Sequence, residues 1–395
     1  MNHIRDNCRL CSSKKLINIL NLNPSALAND FNNNKDKQEL YPLDLYKCEE
    51  CDHIQLLYIV DPKVLFSNYL YVSGTSNLMK QHFKDYAYDI ISKFNLNNQD
   101  LVIEFGSNDS ILLKEIKVLG PKVLGIEPAT NLAKISNEEG ITTVNEFLTI
   151  DIAKDIVKKY GKAKIVIANN VFAHIDQLNK IVEAVKILLE PKGTFIFENA
   201  YLFDMLDTND FSQIYHEHLS YHSVTPLYKF FEHHNMNLYD VEHKNIHGGS
   251  IRCFVGTKAI SQNVFNFINY ENINFKYLLS NFINKTNDFK VSIYNNIQQL
   301  KDNGSSIGGV LASAKSTTLL HQAGIGVLLD FIADEAELKQ GLYSPGYKIP
   351  IVNFDNINDV DYLVILSLNF ANSIMERYKD YKGKWIVLFP EFDII

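Results

Sequence analysis

The rhythm of hydrophobic and polar positions along this 395-residue chain changes twice. Up to about residue 76 the chain is polar and irregular, with short apolar runs and no sustained period. Such a stretch has little core of its own and suits a module stapled by something other than apolar packing. Residues 77–96 then place apolar side chains at helical spacing. From residue 100 short apolar runs alternate with amphipathic stretches. They predict strands over 101–105, 123–126, 141–144, 164–168 and 194–198, and helices over 111–116, 131–139, 151–160 and 177–189. After a helix over 223–235 the pattern differs: strands over 238–242 and 250–257 follow each other with only His247-Gly248-Gly249 as a turn. Residues 262–303 read as mostly helical. A second alternating set has strands over 307–312, 327–332, 362–368 and 385–389, with helices over 316–323 and 369–381.

Strands alternating with helices imply an α/β fold, its parallel sheet covered on both faces. Five parallel strands closed by a hairpin outline the Rossmann-like sheet of a class I methyltransferase. The second set outlines a smaller Rossmann-like unit. The expected domains are therefore a small module over 1–76, the main sheet domain over 77–260 and a C-terminal Rossmann-like domain over 261–395. Apolar residues make up 46% of the chain, enough for such cores, and the net charge of -8 argues against nucleic acid or an anionic membrane as the main partner. No apolar run reaches membrane-spanning length. The first residues lead straight into polar sequence and Cys8, unlike a signal peptide.

Cysteine placement sharpens this picture. Cys8-x-x-Cys11 and Cys48-x-x-Cys51 hold four of the five cysteines. Two such pairs supply the four thiolates of a tetrahedral zinc site, and a site closed by four sulfurs leaves no position for catalysis. A structural zinc ion is expected, in a reducing and therefore cytoplasmic compartment.

Chemistry-bearing residues gather at the predicted carboxyl ends of the strands, where open α/β sheets bind ligands. Glu104-Phe105-Gly106-Ser107-Asn108-Asp109 ends the first strand and opens a helix. Gly106 lets a ligand approach the backbone. The run is not the G-x-G-x-x-G fingerprint, and its acidic groups suit an aminoacyl ammonium such as that of S-adenosylmethionine. Glu127, ending the second strand, is placed to accept ribose hydroxyls, and Asn145, ending the third, to meet an adenine edge. Asn169 and Asn170 end the fourth strand, where a reacting methyl would lie. After the fifth strand comes Tyr215-His216-Glu217-His218, and after the fourth His174. His-x-His could bind metal, but no third and fourth ligands stand nearby, so acid–base chemistry is the better reading. In the hairpin, two glycines explain the turn but not His247 or Arg252, and Arg252 could meet a phosphate.

In combination these motifs resemble the nucleotide-sugar C-methyltransferases across nearly the whole chain. The resemblance takes in both cysteine pairs, Tyr69-x-Tyr71-x-Ser73, Glu104 to Asp109, Asn170-Val171-Phe172-Ala173-His174-Ile175 and Tyr215 to His218. It continues through His247-Gly248-Gly249-Ser250-x-Arg252, Ala314-Lys315, Pro345-Gly346-x-x-Ile349-Pro350-Ile351 and Asn369. It implies zinc-binding, methyltransferase and C-terminal Rossmann-like domains, S-adenosylmethionine as cofactor, and a nucleotide-linked 4-keto-deoxysugar methylated at C3. It adds Tyr71 and Ser73 to the cofactor site and Lys315 to the substrate side, with His247 and Arg252. It implies His218 as base, Glu217 orienting it, and Tyr215 or His174 binding the developing oxyanion. Methylation of a hydroxyl or of another sugar carbon is the alternative. Three linked domains can enclose such a site without a partner, so a monomer is expected. The chain departs from the family at Leu311, where glycine is usual, at Ser316-Thr317-Thr318 in place of Gly-Asn-Thr, and at Ser110 in place of a common glycine.

Overall fold

The computed structural model describes residues 2–395 apart from residues 35, 37, 68, 70, 71, 76, 368–370 and 389–390, and leaves the side chains of residues 75 and 77 undescribed. The expected Tyr71 and Asn369 positions lie outside the described residues.

The first seventy-odd residues form strands β1 (His3–Ile4), β2 (Leu16–Leu20), β3 (Leu45–Cys48), β4 (Ile54–Leu56) and β5 (Tyr58–Ile59) and helix α1 (Pro62–Phe66). Asp61 caps α1 by accepting from the Lys63 N–H, with Pro62 preset at its first position. This module has more core than its polarity suggests. Leu20, Leu45, Ile54 and Leu56 are buried and join the same apolar cluster as the central sheet. Cross-strand register hid this from the sequence, because the apolar residues of short strands become one face only once the strands pair.

Helix α2 (Asn77–Phe94) leads into the central domain. There β6 (Leu101–Phe105), α3 (Ile111–Val118), β7 (Lys122–Ile126), α4 (Thr130–Glu138), β8 (Thr143–Val144), α5 (Ile150–Tyr160), β9 (Ala163–Asn169), α6 (Leu178–Leu188) and β10 (Leu189–Ala200) alternate as expected. All five residues of β6 are buried, as a strand with both faces covered requires. In α5 the Thr149 hydroxyl caps the first turn and Gly161, at φ 86°, ends the last. Helix α7 (Leu202–Asp207), strand β11 (Ser220–Tyr221) and helix α8 (Val224–His233) follow, then the hairpin of β12 (Asn237–Lys244) and β13 (Ser250–Gly256). Sheet order is β12-β13-β10-β9-β6-β7-β8. β13 runs antiparallel to both neighbours, whereas β6 to β10 are mutually parallel. This is the class I methyltransferase sheet. β11 does not join it; Ser220 and Tyr221 pair with β4 and extend the N-terminal sheet, order β11-β4-β3-β2.

The mostly helical stretch is one helix of 41 residues, α9 (Gln262–Asp302). Beyond it lie β14 (Ile307–Val310), α10 (Ala314–Ala323), β15 (Ile332–Ala333), β16 (Ile351–Val352), β17 (Tyr362–Ile365), α11 (Ala371–Arg377), β18 (Lys384–Val387) and β19 (Asp393–Ile394). They make a six-stranded sheet in the order β16-β15-β14-β17-β18-β19, parallel except for β19. The strand expected over 327–332 shrinks to β15. Gly324 takes a left-handed φ of 69° to end α10, and Ile325–Leu328 then coils as a 3-10 turn. Gly326 permits that turn, since a Cβ there would lie 2.2 Å from the Tyr347 ring. Among the described residues no helix is long and apolar enough to cross a membrane.

Candidate active site

The first strand and its turn build a buried acidic cradle. Gly106 adopts φ 65°, and a Cβ there would fall 2.3 Å from Val171, so only glycine fits. Asn108 and Ser110 also take positive φ. Glu104 is 3% exposed; one carboxylate oxygen accepts from the Asn169 amide at 2.9 Å and the other has no partner. Burial raises its pKa to about 8. Asp109 accepts from the Gly74 N–H at 3.0 Å, while its other oxygen is buried without a partner, and burial raises its pKa as well. The Asn169 carbonyl oxygen is also buried and unpaired. Unpaired buried acceptors are costly unless a ligand donates to them. Three of them around a glycine turn fit the ammonium of an aminoacyl cofactor. The Ser73 N–H reaches Asn108 Oδ1 at 3.0 Å, so the segment before α2 closes over this turn.

Glu127 stands at the end of β7 as expected. Its carboxylate already accepts from two backbone amides, Asn108 at 2.8 Å and Ala129 at 2.9 Å, with burial raising its pKa against their pull. Each oxygen keeps a lone pair for a hydroxyl donor. Asn145 is placed differently from the expectation. Its amide donates to the Glu127 and Pro128 carbonyls and accepts from Thr130, so the group ties off the strand end rather than facing an open adenine edge. Asn170, at φ 53°, lines the cleft next to the strand end.

Asn170, His174, Asn199, Tyr201, Gln213 and His218 are among the walls of that cleft. The His218 Nδ1 lies 2.8 Å from the Gln213 carbonyl, which only accepts, so Nδ1 carries the proton. Nε2 therefore bears the lone pair, and the Tyr215 hydroxyl donates to it at 2.8 Å. The His174 ring lies 5.1 Å from that of His218, and His174 Nε2 is buried with no partner among the described residues. Burial drives His218 well below the ordinary histidine pKa, helped by the nearby His174 and Lys315, and drives His174 down to about 4. Both rings are neutral at pH 7.

Two expected roles change. Glu217 does not orient His218, because its carboxylate points the other way. It accepts from Asn29 and from the Tyr69 hydroxyl, each at 2.6 Å, and burial raises its pKa against those bonds. The Gln213 carbonyl does the orienting. Arg252 is no phosphate ligand either. It is 2% exposed, bonds Glu198 through two nitrogens at 2.9 Å each, and lies 3.3 Å above the Tyr86 ring. Its register on β13, directly opposite Glu198 on β10, turns it into the sheet. His82 completes the cluster at 2.6 Å from Glu198. Burial pushes the Glu198 carboxyl up, but His82 and Arg252 hold it below the usual range.

His247, at φ 55°, and Lys315 are brought near His218 from the hairpin and from α10; both burial and the Lys315 charge lower the His247 pKa, to about 4. Lys315 pairs with the buried Asp210 at 2.8 Å. Asp210 also accepts from the Gln213 side chain at 3.1 Å, so Lys315 is linked to the residue that orients His218. Burial raises Asp210, and the Lys315 charge and these hydrogen bonds bring it below its ordinary pKa.

The four knuckle sulfurs lie within 4.8 Å of one another, with Cys8–Cys51 at 3.6 Å and Cys11–Cys48 at 3.5 Å. A disulfide is excluded at these separations. A ZnS₄ tetrahedron with 2.3 Å bonds has edges of about 3.8 Å, so the donor set fits zinc. Sequence reasoning gave no role to Arg9, Asn29, His82, Asp210 or Gln213. Arg9 sits inside a knuckle, which was its only local signal.

Three family descriptions match successive parts of the chain: "Putative zinc binding domain" over residues 8–66, "Methyltransferase domain" over 79–241 and "C-methyltransferase C-terminal domain" over 245–390. C-methyltransferase NovU of Streptomyces niveus is 30% identical over 406 residues, covering 99% of this chain and 97% of the relative. Among solved structures, an S-adenosylmethionine-dependent methyltransferase from Clostridium acetobutylicum ATCC 824 aligns at TM-score 0.37 and 14% identity, over 46% of this chain and 92% of that one. Magnesium protoporphyrin IX methyltransferase from Synechocystis PCC 6803 aligns at TM-score 0.35 and 12% identity, over 45% and 79%.

Proposed function

The chain belongs to the nucleotide-sugar C-methyltransferases, which use S-adenosylmethionine to methylate a sugar carbon, and from that premise we propose that it methylates C3 of a 4-keto-deoxysugar nucleotide through an enolate. The observation that carries the proposal is the Tyr215–His218–Gln213 chain, which leaves a neutral imidazole with its lone pair turned to Tyr215 at the cleft.

A saturated sugar carbon is a poor nucleophile until the proton beside a ketone is removed. His218 takes the C3 proton on Nε2, and the released electron pair passes to the C4 oxygen as an enolate. Tyr215 gives up its hydrogen bond to that nitrogen as the substrate enters, and its hydroxyl turns to the same oxygen. His174, with Nε2 unpaired, is the second donor there. A preorganised donor of this kind contributes about 2.7–4 kcal/mol. S-adenosylmethionine supplies an electrophilic sulfonium methyl. Glu104, Asp109 and Asn169 would hold its ammonium end, Glu127 its ribose, and Ser73, Asn108 and Asn170 the intervening walls. The nucleotide diphosphate meets Lys315 and His247, where Lys315 exchanges part of its bond with Asp210 for phosphate. Positioning of C3 against the methyl supplies much of the remaining rate.

The test is turnover on a panel of 4-keto-6-deoxysugar nucleotides followed by product mass and NMR. A single added methyl on C3 supports the proposal. A methyl ether, or a methyl on another carbon, would move the reading to the alternative acceptor chemistry.

A further inference from the structure

We propose that Arg9, inside the first cysteine knuckle, is a positioning residue that holds His174 and His218 at their working separation; the inference rests on the catalytic roles just given to those two residues. A Cys-x-x-Cys knuckle needs no arginine to bind metal, and its middle residues are usually free to face water. Arg9 is instead fully buried. Burying a guanidinium is costly, and the partners it reaches must offset that cost.

Its partners are shared between Gln55 and Leu56 of its own module and the two histidine loops. Arg9 Nη1 donates to the Leu219 carbonyl at 3.1 Å, and Leu219 directly follows His218. Arg9 Nε forms an ion pair at 3.2 Å with a carboxylate oxygen of Asp176, two residues after His174, without the alignment of a hydrogen bond, and Nη2 has no partner among the described residues. Arg5 reaches the same oxygen at 2.9 Å. The loops are also joined directly, since the Leu219 N–H donates to the Ala173 carbonyl at 2.9 Å. From the other side the Leu56 N–H meets the Leu219 carbonyl at 3.0 Å, and Nη1 of Arg9 also bonds the Leu56 carbonyl. The backbone N–H of Arg9 is held in turn by Gln55 at 3.0 Å.

The guanidinium is thus a rigid bracket with one arm on each histidine loop and its base in the knuckle backbone. Only the planar fork of arginine spans both arms, and lysine reaches one at a time. Zinc in the four-cysteine site would fix the backbone from which the bracket hangs. The module is therefore joined to the base it stands beside.

The test uses the full-length, zinc-loaded protein with Arg9→Gln, Arg9→Lys, Asp176→Asn and His218→Gln. Four quantities are read: zinc per chain, S-adenosylmethionine affinity by calorimetry, kcat and KM. The expected result is unchanged zinc content and cofactor affinity in the Arg9 and Asp176 variants. Their kcat should fall about tenfold or more in Arg9→Gln, with partial recovery in Arg9→Lys, since an ångström of misplacement can cost up to about a hundredfold. Asp176→Asn leaves the knuckle and the guanidinium in place and should lose several-fold in kcat on its own; it decides the matter if Arg9→Gln does not fold. Full kcat in the variants, or a loss that tracks lost zinc or lost cofactor binding, overturns the positioning role. A fully active His218→Gln would instead overturn the catalytic reading beneath it, so the two failures are distinguishable.

Discussion

Burial does most of the electrostatic work in the cleft. Glu104, with a pKa raised to about 8, holds a proton at neutral pH until a cation arrives beside it. Binding of S-adenosylmethionine at pH 7 should therefore release a proton. Calorimetry in buffers of different ionisation enthalpy should detect it, and Glu104→Gln should abolish the release and weaken binding by about tenfold or more, as expected for a lost charge-assisted bond. Histidines shift the other way. His174 and His216 are lowered from 6.5 to about 4, and His222 to about 3, by burial. The unfolded chain then binds more protons than the folded one below pH 6.5. The stability these neutral rings contribute is complete above that pH and is lost as pH falls through the folded values. Each adds at most about 1.4 kcal/mol per pH unit to the slope. Urea unfolding at pH 7 and pH 5 should show the loss, and His216→Asn should reduce it. Residue types were legible in the sequence here, but directions were not. Glu217 and His218 are neighbours in the chain, yet one side chain faces Asn29 and Tyr69 and the other Gln213. Arg252 read as a free cation because its opposite on β10, Glu198, is fixed by register alone.

Strands with both faces covered were plain in the apolar runs, and the parallel direction of β6 to β10 followed from their alternation with helices. Strands of two residues, such as β8, β11, β15 and β16, carry no period and were drawn too long or missed. The loop after β14 shows what a substitution can leave unchanged. Leu311 stands where the family resemblance expects glycine, and it retains a glycine-like φ of 73°. Holding a leucine there costs on the order of 1–3 kcal/mol. The side chain offsets part of this by packing on the C-terminal core. Leu311→Gly should therefore change stability by no more than about 1 kcal/mol, while a β-branched Leu311→Val should cost clearly more, since such residues tolerate positive φ worst. Thermal unfolding of the two variants measures the contrast. Ser316-Thr317-Thr318 also has a use. Ser316 forms a capping box with Ser313, Thr317 donates to the Ala28 carbonyl and Thr318 to the Ile214 carbonyl, both at 2.9 Å. The replaced motif docks α10 onto the N-terminal module and onto the segment that carries Tyr215.

The three larger sheets share one apolar core, which runs from Leu10 and Leu45 through Phe197 to Ile325 and Leu388. Three regions recognised separately in the sequence should therefore unfold in a single cooperative transition, and calorimetry should find van't Hoff and calorimetric enthalpies equal. Removing zinc should lower that transition and reduce kcat together, because β11, which begins two residues after His218, extends the knuckle sheet. The proximity of module, base and C-terminal domain was invisible in the chain, since their contacts span as many as 316 residues, as between Asn32 and Lys348. The central claim is proton removal from C3 by His218. It is tested most directly by NMR of the C3 position of a 4-keto-6-deoxysugar nucleotide in deuterium oxide with wild-type protein and His218→Gln. Enzyme-dependent exchange of the C3 proton, lost by a factor of about 10²–10⁴ in the variant, is the predicted result. Methyl transfer without any exchangeable C3 proton, or exchange undiminished in His218→Gln, would contradict it.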